Sequence, residues 1–384
     1  MIDPTAFQSA KVLYHTFGCK LNFAETSTIA TLFAERGLRR VATGETPDII
    51  VINSCSVTEI ADKKCRQTIR SFHRRYPHAP IIVTGCYAQL QAPQIAALPG
   101  VAIVAGTDRK HQLLAYLDRW LQSRTTLLEV TPTPAIRTFT PSCSRGDRTR
   151  YFLKVQDGCN YYCTYCTIPM ARGRSRSGTI PSIIDQARRV AEQGGKEIVI
   201  TGVNIGDFGN GTPDTFLSLI RALDTVDGIH RYRISSIEPN LLTDEIIDFV
   251  ATSRRFMPHF HVPLQSGDDE VLALMRRHYD TTLFRHKMQR IRQAIPHAFI
   301  GVDLIVGARG ETPERFRRSH DFIQTLPISR LHVFTYSERP GTRALTITPV
   351  VPQDEKHRRT RRMLALSDQL LSTFSSRFLG TVRP

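Results

Sequence analysis

The sequence predicts an α/β protein: an N-terminal, Rossmann-like parallel sheet followed by a partial (β/α)6 barrel. Three observations carry that prediction. Short apolar runs, such as Asp48-Ile-Ile-Val-Ile-Asn53 and Pro80-Ile-Ile-Val-Thr-Gly85, alternate with longer helical patterns. That is how parallel strands covered on both faces read. The rhythm breaks between about 131 and 150 and resumes at Tyr151. Polar, glycine-containing signatures recur just past the apolar runs, at the edge where α/β folds gather ligands.

At 384 residues the chain is long for one domain, and its 41% hydrophobic share suits ordinary cores. The net charge of +16 favours a polyanionic partner, nucleic acid before a membrane surface. A merely soluble basic protein is the alternative. No apolar run approaches the roughly 18 residues of a membrane span. The start, Met1-Ile-Asp-Pro-Thr-Ala-Phe-Gln8, lacks the layout of a signal peptide. Eight cysteines without a secretion signal argue for thiols and metal in a reducing cytoplasm, not disulfides.

In chain order, residues 11–18 read as a strand and 22–36 as a helix ending at Gly37. A buried strand follows at 48–53, then a charged helix from about Thr58 to Arg75, stopped before Pro77. Further strands are expected at 80–85 and 101–106. Cys19, Cys55 and Cys86 each lie just beyond the C-terminal end of one of the first three strands. Three sites distant in sequence can converge at that edge. On residue type alone they are more often structural thiols.

Residues 131–150 are rich in Pro, Thr, Ser and Arg without periodicity, as in a linker. The domains expected are therefore 1–130, a linker 131–150, a barrel 151–345 and a basic C-terminal helix 346–384. In the barrel, strands are expected at 151–156, 197–204, 231–237, 259–265, 299–307 and 330–337. The polar signatures at Thr201-Gly-Val-Asn204, Ser235-Ser-Ile-Glu238, His261-Val-Pro-Leu-Gln265 and Tyr336-Ser-Glu-Arg339 fall at the ends where barrel chemistry sits.

The stretch that organises the chain is Val155-Gln-Asp-Gly-Cys159-Asn-Tyr-Tyr-Cys163-Thr-Tyr-Cys166. Three cysteines at C-x3-C-x2-C on one loop are close enough to hold one metal centre. Iron–sulfur clusters usually take four thiolates, so three leave one iron open. A zinc knuckle would want a fourth ligand nearby, and none follows Cys166 closely. With Tyr165 before the last cysteine, the motif resembles the radical S-adenosylmethionine (SAM) enzymes. The resemblance implies a 4Fe–4S cluster on Cys159, Cys163 and Cys166, with SAM on its open iron as the source of a 5′-deoxyadenosyl radical. The longer string, continuing through Ile168-Pro-Met-Ala-Arg-Gly-Arg-Ser-Arg-Ser177, is similar to the methylthiotransferases.

That family holds a second 4Fe–4S cluster on an N-terminal domain. Thr16-Phe-Gly-Cys19-Lys-Leu-Asn22, Asn53-Ser-Cys55-Ser-Val-Thr58 and Thr84-Gly-Cys86-Tyr-Ala-Gln89 resemble its motifs, which implies Cys19, Cys55 and Cys86 as ligands. Cys65 and Cys143 match no ligand position and read as ordinary thiols. Tyr165, Gly202, Asn204, Ser235, Glu238 and Gln265 are implied as the lining of the SAM and substrate pocket. Glu238 fits a satisfied structural carboxylate equally well. The family more often has Phe-Pro where this chain has Ala308-Arg309, so a less rigid, more basic loop is expected there.

Two stretches are basic. Arg172, Arg174 and Arg176 follow the cluster loop and suit phosphate or carboxylate recognition, or else form a solvated turn. Lys356-His-Arg-Arg-Thr-Arg-Arg362 opens the last helix and suggests contact with a nucleic-acid backbone. Family members usually continue into a small RNA-binding β-barrel, the TRAM domain. It is expected to be absent or truncated here.

Within the family the motifs are most similar to the threonylcarbamoyladenosine branch. An isopentenyladenosine branch and a ribosomal-protein aspartate branch are alternatives, as is a non-catalytic Fe–S RNA-binding protein. The branch implies a tRNA anticodon loop as substrate, modified at position 37. It also implies an electron donor such as flavodoxin or ferredoxin, a sulfur source, no membrane, and two SAM molecules, one giving its methyl and one the radical.

Overall fold

The computed structural model describes residues 9–144 and 150–382. The expectation for Met1–Gln8 and part of that for 131–150 lie outside these residues. The chain groups into two compact units, 1–160 with 167–203 and 161–166 with 204–384.

In the first unit the apolar runs build an open six-stranded sheet, all of whose pairings are parallel. In spatial order its strands are Arg39–Arg40, Lys11–Thr16, Ile49–Ser54, Ile81–Gly85, Val101–Ala105 and Leu127–Glu129. Successive side chains point to opposite faces, and the cores divide accordingly. Ile49 and Val51 join Val12, Ile29, Phe33 and Leu117 on one side. Ile50 and Ile52 join Ile69, Val83, Ile95 and Cys65 on the other. Cys65 is thus a core thiol, its pKa pushed up to about 12 by burial. The helix Glu59–Arg75 has the termini its sequence promises. The Thr58 side chain caps it by accepting from the Ala61 N–H, acids occupy its first turn, and His73, Arg74 and Arg75 occupy its last.

The same unit holds the Tyr151–Lys154 strand, paired parallel with Glu197–Thr201 and antiparallel with Ser142–Cys143. In the second unit His259–Gln265, Phe299–Val306 and Arg330–Thr335 form a parallel three-stranded sheet. Arg231–Ile234 is a fourth strand, bridged at Tyr232 to Phe256. Every run expected in the second half contains a strand, but several stop early: the run 197–204 ends as strand at Thr201 and 231–237 at Ile234. The residues beyond are loops, and these carry the candidate site.

The last helix, Gln353–Ser376, packs on the Arg330–Thr335 strand, where Ser367 Oγ bonds both the N–H and the carbonyl of Leu331. Its basic opening, expected to contact a nucleic-acid backbone, divides between the interior and the surface. Lys356 and Arg359 are buried, one over the Tyr336 ring and the other donating to the Glu311 carbonyl at 2.7 Å. His357, Arg358, Arg361 and Arg362 remain exposed. Among the described residues no helix is long and apolar enough to cross a membrane.

Candidate active site

Cys19, Cys55 and Cys86 follow three strands that are adjacent in the sheet, so one edge brings them together. Cys19 caps the helix Lys20–Glu35, Cys55 leaves the strand Ile49–Ser54, and Cys86 begins the helix Cys86–Leu90. Gly18 makes the approach possible. Its φ of +93° is left-handed, and a Cβ there would lie 2.8 Å from Cys55 Sγ. Burial pushes the Cys55 thiol up to about 12, and the neighbouring Cys86 and Cys19 add to the shift. Three soft sulfurs converging at a ligand edge fit an iron–sulfur group with an open iron.

Beneath these thiols lies a buried charge network. Glu25 accepts from Arg172 at 3.0 and 3.1 Å, from Lys154 at 3.0 Å, and from Lys110. Asp157 accepts from Arg172 at 2.9 Å, Lys154 at 2.7 Å and Arg176 at 3.1 Å. Burial disfavours ionising Glu25, but Arg172, Lys110 and Lys154 outweigh it and hold its carboxyl well below the usual range. Arg172 therefore departs from the expected role in phosphate or carboxylate recognition. It is only 1% exposed and is occupied by Glu25, Asp157 and Asn22, while Arg174 stays exposed.

Hydrogen bonds within each unit hold the part of the following loop that belongs to it. In the first unit Gln156 braces it, donating to the Gly158 carbonyl at 2.7 Å and accepting from the Val203 N–H at 3.0 Å. That second bond fixes the turn containing Gly202. The Cys159 N–H donates to the Gly173 carbonyl at 3.1 Å. In the second unit the Cys166 N–H donates to the Cys163 carbonyl at 3.0 Å, and Thr164 bonds the Leu274 and Met275 carbonyls. Cys163 is buried, and Arg277 Nη1 donates to its sulfur at 3.1 Å. Burial raises the Cys163 thiol while Arg277 opposes the rise.

Arg277 connects several expected pocket residues. It pairs with Glu238, donates to Tyr279 Oη at 3.0 Å, and reaches Tyr165 Oη at 3.4 Å. Burial, with Asp303 adding, holds Glu238 above the ordinary carboxylate range against Arg277. Glu238 is thus paired with Arg277. Tyr165 packs beside Met275, Tyr336 and Ala344, and burial pushes its phenol well up. Asn204 and Ser235 are buried in the loops that follow the strands Glu197–Thr201 and Arg231–Ile234. Gln265 adopts φ +67°, and its buried Oε1 has no hydrogen-bond partner among the described residues. An orphaned acceptor at the C-terminal end of a strand fits a polar ligand such as SAM.

Sequence reasoning missed Arg277, because Met275-Arg-Arg-His278 reads as one more basic run. It named His261 in a polar signature but missed its grouping with Asp303 and His332, which lie on the two strands that follow it in the sheet. His261 Nε2 and His332 Nδ1 both turn on Asp303 Oδ1, at 2.6 and 3.2 Å. Their ligand atoms lie within 4.8 Å of one another, joined by these hydrogen bonds. The Ala308-Arg309 loop is braced, contrary to the expectation of a less rigid one. Ala308 is core, and Arg309 bonds Glu338 and the Leu345 carbonyl at 2.7 and 2.6 Å.

Comparison with known proteins identifies this arrangement. Residues 11–106 match the family described as uncharacterized protein family UPF0004, and 153–323 match the radical SAM superfamily. The chain is 42% identical to threonylcarbamoyladenosine tRNA methylthiotransferase MtaB of Bacillus subtilis, over 97% of this chain and 84% of that protein. It is 34% identical to the MtaB of Aquifex aeolicus, over 96% and 91%. It is also 35% identical to a tRNA-2-methylthio-N(6)-dimethylallyladenosine synthase of Bifidobacterium longum, over 94% and 78%. In fold it resembles the radical SAM methyltransferase TsrM of Kitasatospora setae, with a TM-score of 0.65 at 14% identity, over 85% of this chain and 73% of that one. Membership implies SAM and 4Fe–4S clusters as cofactors. The chain belongs to the radical SAM methylthiotransferase family, in its MtaB-type group.

Proposed function

We propose that the chain converts N6-threonylcarbamoyladenosine at position 37 of tRNA to its 2-methylthio derivative. The observation that carries this is the likeness to MtaB relatives along nearly the whole chain, with all six motif cysteines present. Cys159, Cys163 and Cys166 would hold one cluster, and Cys19, Cys55 and Cys86 the other. When bound, these groups supply reductive SAM cleavage and a seat for the sulfur to be transferred.

This chain's own residues orient those groups. Arg277 fixes the Cys163 sulfur and shields it from solvent. Gln156 holds the loop before Cys159 and the turn with Gly202 in one geometry. Tyr165, Asn204, Ser235, Glu238 and Gln265 offer hydrogen-bonding atoms for SAM and the nucleoside. The threonylcarbamoyl group brings a carboxylate, which suits a chain of net charge +16. tRNA contact falls to the exposed cations, Arg174 and the outer face of the last helix among them. An anticodon loop offers its bases unstacked, as base chemistry requires. Flavodoxin or ferredoxin would serve as electron donor and a separate sulfur source would replenish the transferred atom.

The likeness to dimethylallyladenosine synthases keeps one alternative substrate in view. In-vitro reaction with tRNA carrying one or the other modified adenosine separates them. The proposal expects methylthiolation of the threonylcarbamoyl form alone.

A further inference from the structure

The buried network in the first unit is unbalanced. Arg172, Lys154, Lys110 and Arg176 are each at most 9% exposed, and they face two carboxylates, Glu25 and Asp157. Within that network two positive charges are left over. Each cation has a carboxylate beside it, but the excess of buried positive charge is itself costly, and a further anion nearby would offset it.

The surplus points to the three thiols. Arg172 Nη2 donates to Asn22 Oδ1 at 2.7 Å. Asn22 in turn donates to the carbonyls of Phe17 and Ser54, which lie next to Gly18-Cys19 and Cys55. Lys110 Nζ donates to Asn53 Oδ1 at 3.1 Å, on the strand Ile49–Ser54 that runs into Cys55. Both cations are thus built into the cradle of the cysteines, not into a surface. Thiolates that ligate a metal centre bring the negative charge this arrangement lacks.

We infer that Lys110 and Arg172 are positioning residues that supply the buried counter-charge of the Cys19, Cys55 and Cys86 thiolates and favour the reduced state of a cluster held there. This rests on the cluster reading proposed above. Reduction adds negative charge to a cluster, and fixed positive charge nearby favours the more negative state. Glu25 works in the opposite sense, offsetting part of that charge.

The test uses the full chain with Cys159, Cys163 and Cys166 replaced by Ala, reconstituted with iron and sulfide so that one cluster is read. Redox titration followed by electron paramagnetic resonance gives its midpoint potential, and iron analysis gives its occupancy. Lys110→Met should keep the iron and lower the potential, Lys110→Arg should restore it, and Glu25→Gln should raise it. Opposite shifts from two neighbouring substitutions are not what loosened packing produces. Full iron with an unmoved potential in Lys110→Met, or a fall in Glu25→Gln, overturns the inference. A parent chain that takes up no iron overturns the cluster reading itself.

Discussion

Arg277 donates to the sulfur of Cys163 at 3.1 Å while another of its nitrogens pairs with Glu238. One buried cation therefore ties a motif cysteine to a carboxylate that the sequence offered equally as a pocket candidate and as a satisfied structural carboxylate. Arg277→Met should strand Glu238 in a low-dielectric site at a cost of about 3–5 kcal/mol. Adding Glu238→Gln should return a large part of that. Denaturant unfolding of the two variants checks both steps. Equal stability of Arg277→Met and the parent would remove Arg277 from this role.

Glu25 sets an acid limit. Its folded pKa lies well below the ordinary 4.5, so its stabilisation is complete above that value and drains away as pH falls below it. Unfolding free energy should drop on acidification below about pH 4.5, and Glu25→Gln should flatten that drop. The same substitution should cost about 3–5 kcal/mol near neutrality. Denaturation at a series of pH values reads both effects.

Gly18→Ala tests the convergence of the N-terminal thiols. The left-handed φ costs an alanine about 1–2 kcal/mol, and the new Cβ would press on Cys55. Reconstituted iron should fall from about eight to about four per chain as one 4Fe–4S group is lost. Retention of full iron would mean that Cys55 can yield without losing its place.

The two cysteine sets should separate by activity. Cys163→Ala should abolish formation of 5′-deoxyadenosine from SAM. Cys19→Ala should spare that cleavage but stop sulfur insertion. Full methylthiolation by Cys19→Ala would contradict a two-cluster account.

Much of this was legible in the sequence because it follows from short-range pattern. Short apolar runs such as Ile49-Ile-Val-Ile52, alternating with helical patterns, read as interior parallel strands. Strand-then-cysteine order then puts Cys19, Cys55 and Cys86 on one edge. What pattern could not reveal was the fate of each charge. Arg172 and Arg174 are two residues apart in one basic run, yet one is buried on Glu25 and the other is exposed. Lys356 and Arg359 fall on the inner face of a helix whose neighbouring residues His357 and Arg358 face outward. Partners distant in sequence, such as Glu25 for Arg172 and Glu311 for Arg359, decide these cases. Local sequence does not contain them.

The most direct measurement is mass spectrometry of nucleosides from the tRNA of cells lacking this gene. The account predicts loss of 2-methylthio-N6-threonylcarbamoyladenosine with accumulation of its unmethylthiolated precursor, restored by the wild-type gene and not by Cys19→Ala. An unchanged nucleoside profile, or loss of the methylthio form of isopentenyladenosine instead, would contradict it.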